Sequence, residues 1–319
     1  MKNKQSIIPQ FLKKNASFTS IFVALILISI VWSVLTPYYL TLSNFKNICV
    51  YVSANGIMAA GLTITLVLGG LDLSQISLMA LSGMAAAIGY EHGLRGITLL
   101  LVAMLVGIVG GMINGCLITY MGINPFIATL ATQLAFRGMA FIVTDGRYIS
   151  INDTMVRFIG FNSILGLPSM FWIMILVYLI IGFVMKYTQY GRNIYSVGGS
   201  RIASRLSGIP VKKVELVSYI ISGLTAGIAS ILYIAQGSVA LNNAGTGSEM
   251  DIMTAAILGG LSLSGGKGTV LNTFMGVVLL SVIANGMSLL SISSYYQMLI
   301  KGIILIVAVF VDHLREEKN

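Results

Sequence analysis

The sequence predicts an all-α, polytopic membrane protein, and three observations carry that expectation. The 319 residues are 56% hydrophobic and only 9% charged, and a mean hydropathy of +0.92 lies far outside the balance of soluble domains. The apolar residues gather into roughly ten runs, each near the length a helix needs to cross a hydrocarbon core. The cations gather as well. Lys2, Lys4, Lys13 and Lys14 precede the first run, and Lys186, Arg192, Arg201, Arg205, Lys212 and Lys213 follow one another with no carboxylate between them.

In chain order, residues 1–17 form a basic tail and the run from Phe18 to Leu35 follows. That run is long for a signal peptide and no small-residue cleavage site follows it, so it reads as an uncleaved first span. Further apolar segments cover about 47–70, 75–90, 96–120, 125–144 and 164–187. The basic segment 188–213 comes next, then segments at about 214–236, 250–264, 269–290 and 295–312, and a tail at 313–319. Six spans before the basic segment and four after it place that segment and both tails on one side. The excess of Lys and Arg assigns that side to the cytoplasm. The whole of 1–319 therefore reads as one transmembrane domain, with residues Ser200 to Leu206 as a short amphipathic helix that Gly208 and Pro210 end.

Two stretches break the pattern. LGGLDLS at 68–74 and LGGLSLS at 258–264 are nearly the same sequence, and their Gly-Gly pairs interrupt a helix. Non-helical backbone at membrane depth survives only inside protein or beside a wet cavity, so matching breaks point to a pathway and to a possible internal repeat. The span count puts the two breaks on the same side, as in a parallel repeat, whereas one missing span would invert it. Asn114-Gly115 and Asn285-Gly286 are a weaker echo. Gly107, Gly111 and Gly115 recur on one face, as do Gly223 and Gly227, which favours close helix packing.

Polar side chains in the apolar runs are few. Asn124 and Pro125 read as a helix start, after which Thr129, Gln133 and Arg137 share a face. Arg137 lies about 18 Å along that helix from Pro125. An unpaired cation there costs at least ~2.5 kcal/mol, so a partner is expected among Asp72, Asp145 and Asp251. Hydroxyl-rich substrates need donors and acceptors rather than charge. Asn55, Asp72, Asn114, Gln133, Arg137 and Asn285 are accordingly the candidates for lining a pathway, with Gln236 and Gln297 as further amides.

Several function classes are disfavoured. The net charge of +9 is explained by membrane orientation rather than by nucleic acid. Only His92 and His313 are present, without a nucleophile and base in any recognisable arrangement, so no catalytic residue is assigned. Cys49 and Cys116 fall inside apolar runs, where no disulfide and no metal site is expected. No cofactor is implied either. The stretch from Ser264 to Thr269 is not a phosphate loop, because Gly268 rather than Ser or Thr follows Lys267; it reads as a tight turn between spans. An ion-coupled secondary transporter, built on Asp72 and Asp251, and a membrane-embedded enzyme remain as alternatives.

Four stretches bear a family resemblance: GGSRIASRLSGIPV, GLTITLVLGGLDLS, NPFIATLATQLAFRGMAFIVTDGR, and the block from Ala244 to Asp312 containing LGGLSLSGGKGT and NGMSLLSISSYYQ. They resemble the permease subunits of ribose-type sugar ABC importers, within a bacterial family that also includes branched-chain amino acid permeases. Arg201 and Ile202 stand where that family usually has an acidic residue and alanine, and Gln75 and Ile76 where it has Val and Gly. The resemblance implies a monosaccharide carried into the cytoplasm across the bacterial cell membrane. It also implies a homodimer, a cytoplasmic ATPase and an extracytoplasmic sugar-binding protein. Ser200, Arg201, Ala203, Ser204, Arg205 and Gly208 would then form the surface that couples to the ATPase.

Overall fold

The computed structural model describes residues 16–316. Its chain is almost wholly helical: α1 (Ala16–Leu35), α2 (Leu42–Val67), α3 (Gln75–Glu91), α4 (Ile97–Thr119), α5 (Pro125–Ile142), α6 (Thr154–Phe161), α7 (Ser169–Tyr187), α8 (Gln189–Gly199), α9 (Arg201–Leu206), α10 (Val211–Gly237), α11 (Glu249–Leu258), α12 (Val270–Leu289) and α13 (Ser294–Glu316). All ten predicted apolar segments are helices. Among the described residues seven, namely α1, α2, α4, α5, α7, α10 and α12, are long and apolar enough to cross a membrane. The short ones are instructive. α3 has 17 residues and α11 only 10, and each adjoins a Gly-Gly break.

Local sequence explains the boundaries. α2 starts earlier than hydropathy predicts because Thr41 caps it, its hydroxyl accepting from Asn44 N at 3.2 Å. α7 starts later, at Ser169, because Leu165 and Gly166 adopt positive φ in a small hairpin between β2 (Ser163–Ile164) and β3 (Leu167–Pro168). A second two-residue pair joins β1 (Ile149–Ser150) to β4 (Val239–Ala240), antiparallel, with Ile149 opposite Ala240. α6 was not anticipated. Asp153 caps it through Met155 N and Val156 N, and its other carboxylate oxygen accepts from Gly96 N at 2.9 Å.

Of the seven long apolar helices the most buried is α2, surrounded by α10, α7, α12 and α11. α1 lies at the edge, on α12, where the Trp32 ring covers Gly286. The tightest pair is α4 against α10, which run antiparallel. A Cβ on Gly107 would stand 2.2 Å from the Gly223 carbonyl oxygen, and one on Gly223 would stand 2.1 Å from that of Gly107. With Gly111 and Gly227, which meet Tyr219 O and Ala103 O in the same way, these glycines let the backbones meet, and in lipid such close van der Waals approach is a main source of helix association.

A candidate coupling and translocation site

The basic segment folds as two helices rather than one. α8 had little apolar signal, yet Gly191, Ile194 and Val197, three apart, form a buried stripe on it. Thr188 caps it through Gly191 N, and Ser200 caps α9 through Ala203 N at 3.2 Å. α9 ends where predicted, with Gly208 at φ +80° and Ile209 N donating back to Ser204 O at 3.0 Å. Tyr190 anchors α8 to α10: its hydroxyl is 2.9 Å from that of Ser218, and burial pushes the phenol up to about 12 despite that hydrogen bond. Arg201 anchors α9, giving Nε (2.6 Å) and Nη2 to the buried Glu215 of α10.

The outer face of α9 differs from the expected set in one respect. Arg201, Ala203, Arg205 and Gly208 are exposed, but Ser204 is 4% exposed and turned into the protein. Ser204 therefore belongs to the support of the helix, not to its free face. Ile202 and Leu206, 76% and 84% exposed, occupy that face instead. Their spacing of four residues was the available signal.

α8 reaches both broken stretches. The break after α2 carries Gly69 at φ +86°, and the one after α11 carries Gly260, Gly265, Gly266 and Gly268 at positive φ. The two breaks meet: Gly266 N donates to Val67 O at 2.8 Å, and a Cβ on Gly265 would stand 2.7 Å from Gly69 Cα. Gly198 of α8 packs into the same junction, where a Cβ would stand 1.9 Å from Val67 O and 2.7 Å from Gly266 N. Tyr195 adds a hydrogen bond to Gly268 O at 2.8 Å. Beside the junction lies a cleft of about 400 Å³, lined by Gly69, Gly70, Gly199, Arg201 and Tyr219 among others.

A buried polar chain fixes the first break to its neighbours. Asp72 Oδ1 accepts from Ser74 N (3.0 Å) and Ser74 Oγ (2.6 Å), and Oδ2 accepts from Ser222 Oγ of α10 (2.6 Å). Gln75 donates to Ser222 Oγ at 2.7 Å, Asn114 of α4 donates to Ser74 Oγ at 2.7 Å, and Thr132 of α5 donates to Asn114 Oδ1 at 2.7 Å. The chain ties this break to α10, α4 and α5.

The remaining predicted residues go to other places. Arg137 pairs with none of the three aspartates expected. Its Nη1 donates to Asn242 O (2.9 Å) and Ala244 O (3.0 Å), and Nη2 lies 3.8 Å from Glu249 of α11, which Gln133 also reaches at 3.3 Å. The reason is that the loop from 241 to 248 folds back over α5. Asp251, two residues further along α11, pairs instead with Lys301 of α13 at 2.5 Å, beside a small pocket lined by Asn55 and Tyr51. Asn285 and Asn44 exchange amide hydrogen bonds of 2.8 and 3.0 Å. That pair sits at the start of α2, whereas Asn114 sits by the break at its end, so the weaker echo does not follow the geometry of the first.

The region from 44 to 309 matches a family model described as the permease component of branched-chain amino acid transport systems. The chain belongs to this permease family. It is similar to the ribose import permease protein RbsC of Escherichia coli (strain K12), 38% identical over 303 residues, which cover 93% of this chain and 94% of that one. The D-allose transport system permease protein AlsC of the same strain is 35% identical over 303 residues, 93% of this chain and 91% of its own. The L-arabinose transport system permease protein AraH, also of that strain, is 31% identical over 293 residues, 89% and 87%. No solved structure matches. In this permease, then, the breaks, the polar chain and the basic helices surround one junction of a multi-pass membrane protein.

Proposed function

We propose that this chain is the permease subunit of an ATP-binding-cassette importer carrying a monosaccharide, ribose or a close relative, into the bacterial cytoplasm. One observation carries the reading: α8, continuous with the exposed α9, touches both broken stretches at Gly198. A cytoplasmic ATPase docks on Ile202, Arg205 and Leu206. Its movement on binding ATP displaces α9, and with it α8, because only Ser200 separates the two helices. Gly198 and Tyr195 pass that displacement to the two breaks, which open and close the path.

The excess of cations around α8 and α9 supports a cytoplasmic location for this face and for both termini. The sugar arrives on the opposite face from a binding protein, and two copies of the chain form one pathway. The names borne by the relatives, ribose, allose and arabinose permeases, support a neutral sugar as cargo. Asp251 is already matched by Lys301 and Asp72 by hydroxyls, which disfavours either as a free carboxylate for ion coupling. In cells, labelled ribose uptake is expected to collapse on ATP depletion and to survive a protonophore. Uptake that follows the protonophore instead would establish ion coupling.

A further inference from the structure

The first two turns of α11 and of α13 present polar side chains to one another. On α13, Ser294, Gln297 and Lys301 share a face at intervals of three and four residues; opposite them stand Ser248, Asp251 and Thr254. Together with the apolar Met250, Met298 and Leu305 they line a cleft of about 460 Å³, inside the range of about 300–1,000 Å³ for small-molecule sites. Lys301 lies roughly 10 Å along α13 from Ser294. Ionisable groups on apolar helices are costly beside lipid and mark solute pathways.

The chemistry of the lining selects the class of solute. The Lys301 to Asp251 pair, 2.5 Å, sums to no net charge, so the cleft favours neither cations nor anions. Gln297 spends its amide hydrogens on Ile292 O (2.9 Å) and Ser288 Oγ (3.4 Å), which leaves Oε1 to accept. Thr254 donates to Met250 O at 2.6 Å and keeps its acceptor lone pairs. The ion pair also bounds a second pocket of about 20 Å³ that Asn55 helps to line, space for about one water. We propose that this cleft is a resting site for a neutral, polyhydroxylated solute of monosaccharide size during its passage. The inference rests on the sugar-permease reading above and adds where the sugar pauses.

Gly302 lines the cleft, and a Cβ placed on it meets nothing within 4 Å, so substitutions there enter open space. The complete complex, with ATPase and binding protein, is reconstituted in proteoliposomes and assayed with D-ribose, D-allose and L-arabinose. In Gly302→Cys, a membrane-impermeant thiosulfonate is expected to block uptake. The sugar that is carried should slow that labelling about tenfold at ten times its half-protecting concentration. Gly302→Trp is expected to lose most uptake while binding-protein-stimulated ATP hydrolysis persists. Labelling unaffected by any carried sugar, in a complex whose wild type transports it, overturns the cleft as a resting site and leaves the importer reading intact. Wild-type complex that carries none of the three sugars overturns both. If the tryptophan variant fails to assemble, the labelling result decides alone.

Discussion

Gly198 and Val67 are in such close contact that a single added carbon on Gly198 would stand 1.9 Å from the Val67 carbonyl oxygen. Its neighbour Gly199 has nothing within 4 Å of the same position. Two adjacent glycines therefore make opposite predictions. Gly198→Val should abolish sugar uptake in the reconstituted complex, because α8 is pushed off both breaks, while Gly199→Ala should transport nearly as wild type. Equal uptake by the two variants would remove α8 from the coupling path.

Ser222 is the hub of the buried chain, giving to Asp72 and receiving from Gln75. Ser222→Ala strands the second oxygen of a carboxylate that is 3% exposed. A loss of about 1–3 kcal/mol is expected for a buried group left unsatisfied, read as a lower unfolding temperature in detergent. Ser222→Thr, which keeps the hydroxyl, should recover part of it.

Arg137 holds two carbonyls as well as Glu249, so its parts are separable. Arg137→Lys keeps the charge but cannot reproduce the fork that spans Asn242 O and Ala244 O. It should lower thermal stability more than Glu249→Gln, which leaves those carbonyl bonds in place. The reverse order would show that the ion pair, at 3.8 Å, is the stronger element.

Ile202 and Leu206 are largely exposed, so exchanging both for Asp should leave folding within about 0.5 kcal/mol of wild type. Retention of the ATPase on the purified permease should fall, by about tenfold in affinity or more if these side chains are the anchors of the contact. Undiminished co-purification would place docking elsewhere.

Hydropathy made the ten apolar helices readable, because spans are encoded locally by composition. The α9 start and stop were equally local, in Ser200 and Gly208, and so were the two breaks, in their paired glycines. Other features depend on contacts far apart in the chain. Glu249 becomes the partner of Arg137 only when the loop after β4 folds over α5, and Asn44 meets Asn285 only because α2 and α12 lie side by side. α8 fell between the two cases: its stripe of Gly191, Ile194 and Val197 is helical in spacing, but its polar residues hid it inside a basic segment. The convergence of Gly198 with both breaks had no local signature at all, since a glycine shows where backbone can approach and not which backbone does.

The most direct measurement is accumulation of labelled ribose in proteoliposomes energised in turn by ATP and by an ion gradient, with the chain reconstituted alone and with its partner ATPase and binding protein. Concentrative uptake is expected only from the complete assembly, with ATP supplied on the face that carries α9. Accumulation by the chain alone, or driven by ATP on the opposite face, would contradict the assignment of α9 as the point where an external motor acts.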